Sequence, residues 1–180
     1  MDIRKLTTRE IFNNNQARQI PDGFDRTRIL LHNIRSMHNV GSVFRSADAF
    51  GLYELLLSGY TPTPPRPEIA KTALGAEKHV AWSYFEDFRD AIDQLRSEDY
   101  YILGVEQTNV SNPLIDFTPP EDKAVCFVLG NEVTGIDEGL LPFVDEFVEI
   151  PQFGHKHSLN VSVTAGIALY ALLDKYSQLI

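Results

Sequence analysis

Residues 150–173 read IPQFGHKHSLNVSVTAGIALYALL. A short strand over Phe147 to Ile150 is predicted to run into Pro151 and a polar loop. A helix is then predicted from Ser158, because a serine hydroxyl satisfies free backbone N–H groups in a first turn. Beyond it Val161, Ala165, Ala168, Leu169, Leu172 and Leu173 recur at helical spacing. The small residues Ser162, Ala165 and Gly166 let another element pack very close. The cluster Gly154-His-Lys-His-Ser-Leu-Asn160 puts a polar mouth on this apolar helix, and a helix N-terminus is a natural seat for a polar ligand.

Upstream, the same change from strand to helix repeats. Ile29 to Leu31 is an apolar run. A helix capped by Asn39 follows, with Val40, Val43, Phe44, Ala47 and Phe50 on one face, and Gly51 ends it. Tyr53 to Leu57 reads as a strand and Thr61 to Pro67 as a proline-rich connector. A short helix is predicted over Glu68 to Leu74, a strand over Val80 to Phe85 and an amphipathic helix over Glu86 to Leu95. Strands over Tyr101 to Val105 and Ala124 to Leu129 complete the set, with a short helix near Asp137 to Leu141. This alternation predicts an α/β fold with a parallel sheet covered by helices on both faces. The 180 residues predict a single domain, 1–180, in which 1–25 form a polar lead-in with a helix near Thr8 to Gln16.

The sequence contains no run approaching 18 apolar residues and no apolar h-region at its start, so neither membrane insertion nor secretion is expected. The single Cys126 lies in an apolar run and reads as a buried strand thiol in a reducing cytoplasm. The net charge of −9 is unevenly spread. Residues 1–45 hold 8 Lys+Arg against 4 Asp+Glu, a balance of +4, and the rest hold 8 against 21, a balance of −13. The N-terminal excess reads either as a solvated basic surface or as a local phosphate-binding face.

Several common motifs are absent: Gly-x-Gly-x-x-Gly after the first strand, the Gly-x-x-x-x-Gly-Lys-Ser/Thr loop, and Gly-x-Ser-x-Gly. His155 and His157 lack a third ligand, so no metal is expected. Three blocks remain: Asn39-x-Gly41-x-x-x-Arg45, Gly130-x-Glu132-x-x-Gly135, and Pro151-x-x-Gly154-x-x-x-Ser158-Leu-Asn-Val-Ser162. The second closes a strand at its carboxyl end, where ligand crevices of open α/β sheets lie. In this order the three blocks resemble the signature blocks of the SpoU/TrmH branch of the SPOUT RNA methyltransferases. Lys71-Thr-Ala-Leu-Gly-Ala-Glu77 is similar to the family's inter-block loop, and the likeness runs from Arg28 to Leu173.

The resemblance implies a deep C-terminal trefoil knot, S-adenosylmethionine as methyl donor, a cytoplasmic homodimer, and methylation of a ribose 2′-hydroxyl in RNA. tRNA is slightly preferred over rRNA as substrate, and no separate RNA-binding domain is expected. A non-catalytic RNA- or cofactor-binding module that keeps the knotted fold is the alternative. The family's cofactor contacts fall on Val105, Gly130, Ile150 and Leu159. Its catalytic positions fall on Asn39, Arg45, Glu132, Ser158 and Asn160. Arg45 would meet charge developing on the ribose oxygen, with Ser158, Asn160 and Glu132 orienting it or its loop. Arg18, Arg26 and Arg28 would position the RNA through phosphates. The C-terminal helix, with Val161, Ala165, Ala168, Leu169, Leu172 and Leu173, is expected to be buried against a second copy.

Overall fold

The strand at Arg28–His32 (β1) shows how this sequence builds its core. Ile29 and Leu31 pack on one side and Leu30 on the other, all fully buried. Such a strand needs cover on both faces. The structure, a computed structural model, describes residues 3–178. In chain order it holds α1 (Thr8–Ala17), β1, α2 (Met37–Phe50), β2 (Glu54–Ser58), α3 (Pro67–Ala73), β3 (Ala81–Phe85), α4 (Phe88–Ser97), β4 (Tyr100–Val105), β5 (Asn112–Pro113), β6 (Ala124–Leu129), β7 (Glu146–Glu149) and α5 (Val161–Gln178). The seven strands form one sheet in the order β3-β2-β1-β6-β4-β7-β5. All six pairings are parallel.

One face of the sheet carries the larger core. Leu31, Leu55, Leu57, Phe127 and Leu129 meet Val40, Val43, Phe44 and Ala47 of α2 and Ala165, Ala168, Leu169 and Leu172 of α5 there. On the opposite face Leu30, Leu56, Ile102, Cys126 and Val128 meet Ala91, Ile92 and Leu95 of α4. The expected two-sided α/β sheet is therefore present. Cys126 is the buried strand thiol anticipated, and burial pushes its pKa up to about 12, so it stays protonated.

Helix ends are where the sequence reading shifts. Gly51 closes α2 in the left-handed conformation, as expected. Its cap, however, is Ser36, whose hydroxyl accepts from the Asn39 N–H at 3.3 Å, so the Asn39 side chain is free for other work. Likewise α5 begins at Val161 rather than near Ser158, and Asn160 caps it by accepting from the Ser162 N–H at 2.8 Å. The short helix predicted near Asp137 to Leu141 is displaced: residues 138–140 form a turn, and a single 3-10 turn follows at Leu141–Phe143. Gly41 is fixed by contact: a Cβ there would lie 2.3 Å from the Ile69 carbonyl oxygen, so α2 and α3 touch backbone to backbone.

Two expectations about surfaces are corrected. Arg28 is not a phosphate contact. It is 4% exposed, its Nε lies 2.8 Å from the Glu54 carboxylate, and it also pairs with Glu98. Its guanidinium stands over the Tyr100 ring at 4.6 Å and the Tyr53 ring at 5.1 Å. A buried, doubly paired cation has no capacity left for RNA. The apolar residues of α5 also differ from expectation. Val161, Ala165, Ala168, Leu169 and Leu172 are all at most 8% exposed within this one chain and fill its own core. The outward apolar residues of α5 are instead Val163, Ile167 and Tyr170.

Candidate active site

In a parallel sheet every strand ends on the same edge, so loops far apart in sequence meet there. The loop after β1 (Asn33 to Ser36), the turn after β6 (Gly130 to Gly135), Glu106 and Gln107 after β4, and Ile150 after β7 all gather on the carboxyl edge. The turn is closed by paired backbone hydrogen bonds between Asn131 and Gly135, each 2.9 Å. A Cβ on Gly130 would lie 2.2 Å from the Gly135 carbonyl carbon, so the turn folds back on itself only with glycine there.

Glu132 leaves this turn and binds the N-terminus of α2. One carboxylate oxygen accepts from the Arg35 N–H at 2.9 Å; the other accepts from the Ser36 N–H at 3.0 Å and the Asn39 amide at 2.8 Å. Asn39 Oδ1 in turn accepts from the Asn160 amide at 3.0 Å, and Asn160 Oδ1 accepts from the Ser162 hydroxyl at 2.6 Å. The three sequence blocks are thus joined by one relay, Glu132–Asn39–Asn160–Ser162. Burial opposes ionisation of Glu132, but donors from Arg35, Asn39 and Ser36 outweigh it and hold its carboxyl below the usual range.

Beside the relay lies a cavity of about 540 Å³. Val105, Gly130, Ile150 and Leu159, the four expected cofactor contacts, all line it, together with Glu132 and Ser158. Its walls are part apolar (Leu129, Val161) and part acidic (Glu106, Glu149). Arg45 faces a second cavity of about 520 Å³, between α2 and α5, with Ser42, Ser46, Lys71, Thr72 and Ser162. Ser162 is therefore a member of the relay that also reaches the Arg45 side. Arg45 is exposed and makes no hydrogen bond or ion pair among the described residues. Ser158 and Asn160 do not orient it: Asn160 holds Asn39, and Ser158 faces the first cavity.

Arg18 and Arg26 are exposed. Arg26 lies two residues before β1, on the amino edge of the sheet, opposite the cavity. Five residues of strand separate the two edges, roughly 17 Å. Arg26 therefore lies across the sheet from this cavity in the same chain.

The sequence reading missed three residues. Asn131 is buried; its amide donates to the Asn33 carbonyl and to the Tyr60 hydroxyl, both at 2.8 Å, while its Oδ1 accepts from the Val133 and Thr134 N–H groups. An asparagine inside a glycine-bounded turn is the available signal, since such side chains bind backbone two residues on. Glu106 accepts from the Ile136 N–H at 3.0 Å and so braces the same turn. The Gln107 amide donates to the His157 carbonyl at 2.8 Å and ties down the third block's loop. Neither carries a local sequence signal, because both partners are distant along the chain.

Residues 26–170 match the SpoU rRNA methylase family. The chain belongs to that family. Among curated relatives, a Staphylococcus haemolyticus protein with a provisional assignment as a TrmH-family tRNA/rRNA methyltransferase is 29% identical over 84% of this chain and 60% of its own length. A Staphylococcus epidermidis relative with the same provisional name is 30% identical over 85% of this chain and 60% of its own. The chain thus spans about 60% of the length of these relatives. Among solved structures, the SpoU methyltransferase AviRb from Streptomyces viridochromogenes superposes with a TM-score of 0.79 at 22% identity, covering 88% of this chain and 63% of its own. An rRNA methyltransferase from Sinorhizobium meliloti, solved with AdoMet, gives 0.77 at 24% identity, covering 86% and 57%. At such identities the likeness speaks for the fold. Among the described residues, no helix is long and apolar enough to cross a membrane.

Proposed function

We propose that this SpoU-family chain transfers a methyl group from S-adenosylmethionine to a ribose 2′-hydroxyl of structured RNA, with tRNA slightly favoured over rRNA. The observation that carries the proposal is the relay joining all three blocks beside a cavity lined by Val105, Gly130, Ile150 and Leu159. The cavity suits the cofactor in size and in chemistry. Small-molecule sites run to roughly 300–1,000 Å³. Leu129, Ile150, Leu159 and Val161 offer apolar walls for an adenine ring, and the acidic lining of Glu106, Glu132 and Glu149 favours a ligand bearing sulfonium and ammonium charges. The AdoMet named in two solved relatives and the description of another as an RNA 2′-O ribose methyltransferase support the same reading.

S-adenosylmethionine supplies an activated methyl group when bound. The chain supplies position and charge. Asn39 and Asn160 lock α2 to α5 and fix the line between the two cavities. Arg45, without a hydrogen-bond or ion-pair partner among the described residues, offers its guanidinium to the ribose oxygen as negative charge develops there and to the adjoining phosphate. Arg45 is not the proton acceptor, because a guanidinium stays protonated; the RNA phosphate or water takes the proton. Family membership further supports a C-terminal trefoil knot and a cytoplasmic homodimer, for which Val163, Ile167 and Tyr170 provide an outward apolar strip on α5.

The test is mapping of ribose 2′-O-methylation in total RNA from cells with and without the protein, beside calorimetry with S-adenosylmethionine. A methyl mark that disappears with the protein, and cofactor binding by the purified chain, are expected. Unchanged marks together with no heat at millimolar cofactor overturn the proposal.

A further inference from the structure

Tyr60 and Tyr84 stand at the carboxyl edge of the sheet with their rings in solvent, 61% and 47% exposed. Neither behaves as a loose surface side chain. The Tyr60 hydroxyl accepts from the buried Asn131 amide at 2.8 Å, and the Tyr84 hydroxyl donates to the Gly59 carbonyl at 2.7 Å. The backbone beneath Tyr60 is held as firmly. Its N–H donates to Asn33 Oδ1 at 3.2 Å, and the next residue, Thr61, is 3% exposed with its hydroxyl accepting from the Ile34 N–H at 3.1 Å. Both rings thus have their polar tips occupied and their faces open. Neither packs on another aromatic ring among the described residues.

Two large ring faces kept in water bring the chain no burial of its own, yet they are fixed in place by hydrogen bonds. Their address is specific. Asn131, which holds Tyr60, immediately precedes Glu132 of the relay and holds the loop after β1 through the Asn33 carbonyl. Trp82 and Tyr84 lie two residues apart on β3, opposite Leu55 and Leu57 of β2, so they share one side of the edge strand. Trp82 is 36% exposed. The Tyr84 hydroxyl is bound to Gly59, the residue before Tyr60, so the two tyrosines adjoin between the relay and the sheet edge. The chain carries −9 overall, so RNA affinity here gains little from phosphate attraction. Base stacking needs no net charge and suits any base with a free face.

We propose that Tyr60 and Tyr84 form a stacking platform for an unpaired RNA base beside the nucleotide being methylated; this rests on the reading of the chain as an RNA methyltransferase. The platform asks for a single-stranded or looped RNA segment, because a base inside a duplex has no free face. Asn131 then couples a stacked base mechanically to the Glu132 turn.

The experiment compares the full chain with Tyr60→Ala, Tyr60→Phe and Tyr84→Ala. The probes are a fluorescently labelled oligoadenylate decamer and an abasic decamer with the same phosphates, read by anisotropy at one low salt concentration. Wild type is expected to favour oligoadenylate over the abasic strand. Each alanine variant should weaken oligoadenylate binding by about 5- to 150-fold for a lost stack and leave abasic binding unchanged. Tyr60→Phe keeps the ring but loses its tether to Asn131, and should bind more tightly than Tyr60→Ala. Equal wild-type affinity for the two strands, or alanine variants that bind oligoadenylate like wild type, overturns the platform. A Phe variant as weak as Ala overturns stacking by Tyr60. Circular dichroism confirms that each variant is folded. Calorimetry with S-adenosylmethionine on the same samples reads the methyltransferase proposal separately: a wild type that favours oligoadenylate but binds no cofactor counts against methyl transfer and leaves only a base-stacking RNA surface, whereas cofactor binding without a preference for oligoadenylate overturns the platform alone.

Discussion

Arg28 lies between two carboxylates, Glu54 and Glu98, whereas Arg45 has no ion-pair partner among the described residues. Their neighbours, not their charge, decide their roles. Replacing Arg28 by Ala leaves Glu54 buried with no cation and should cost about 3–5 kcal/mol of folding free energy, measured by urea denaturation. A loss within 0.5 kcal/mol, on the order of a neutral surface change, would show that the pair is not buried in solution. For Arg45 the expected signature is kinetic. Arg45→Ala should keep the fold and S-adenosylmethionine affinity while single-turnover methyl transfer falls by about 100-fold or more, the loss typical of one donor aimed at developing charge. Transfer at the wild-type rate would make Arg45 a solvated helix charge.

At the scale of elements, the start of α5 and the turn after β6 carry the site. Asn160 both caps α5 and holds Asn39. Asn160→Ala should therefore destabilise the chain by about 1 kcal/mol through the lost cap alone. It should also slow methyl transfer, since the α2–α5 link goes with it; thermal melts and turnover on one sample separate the two. Glu132 gives a pH test. Burial opposes its ionisation, but hydrogen bonds from Arg35, Asn39 and Ser36 hold its folded pKa below the usual carboxylate range. The stability it contributes is thus fully present above the unfolded value and is lost as pH falls through the folded one. Melting temperature should hold from pH 7 down to about 5 and then decline, and Glu132→Gln should flatten part of that acid limb. An acid limb identical in the two proteins would mean that the carboxylate anchors nothing.

For the whole molecule, Val163, Ile167 and Tyr170 leave an exposed apolar strip along α5. If two copies pair through α5, Ile167→Glu places a charge at the contact and should convert a dimer to a folded monomer in light scattering. A wild type that is already monomeric at micromolar concentration ends the dimer proposal. The basic excess of residues 1–45 also looks different at this scale. Arg4 pairs with Glu10, Arg28 is buried, and Arg26 lies on the edge opposite the cavity. Salt dependence of RNA binding should accordingly be shallow, and Arg18→Ala and Arg26→Ala should change it little unless a second copy brings those residues to the site.

The sequence by itself determined the layers of this protein and the blocks of its site. Short apolar runs such as Ile29 to Leu31 and Ala124 to Leu129, alternating with amphipathic helices, read as buried parallel strands, and the glycine-bounded turn reads as the close of one of them, because both follow from local pattern and backbone freedom. The resemblance carried by the three blocks likewise points to Asn39, Glu132 and Asn160. Tertiary structure alone decided what those side chains do. Asn39 is a bridge and not a cap because Ser36 took the cap, and Ser158 faces a cavity because Asn160 started the helix three residues past it. Arg28 became an internal ion pair because Glu54 and Glu98, distant in sequence, sit beside the start of β1. The apolar stripe of α5 was legible, but not its direction: the same spacing serves a second copy or the chain's own sheet, and only the packing of α2 and α5 on one face assigns it inward. Partners separated by 93 to 121 residues, as in the relay, leave no trace in local pattern, since they are brought together only when parallel strands bring their carboxyl ends to one edge.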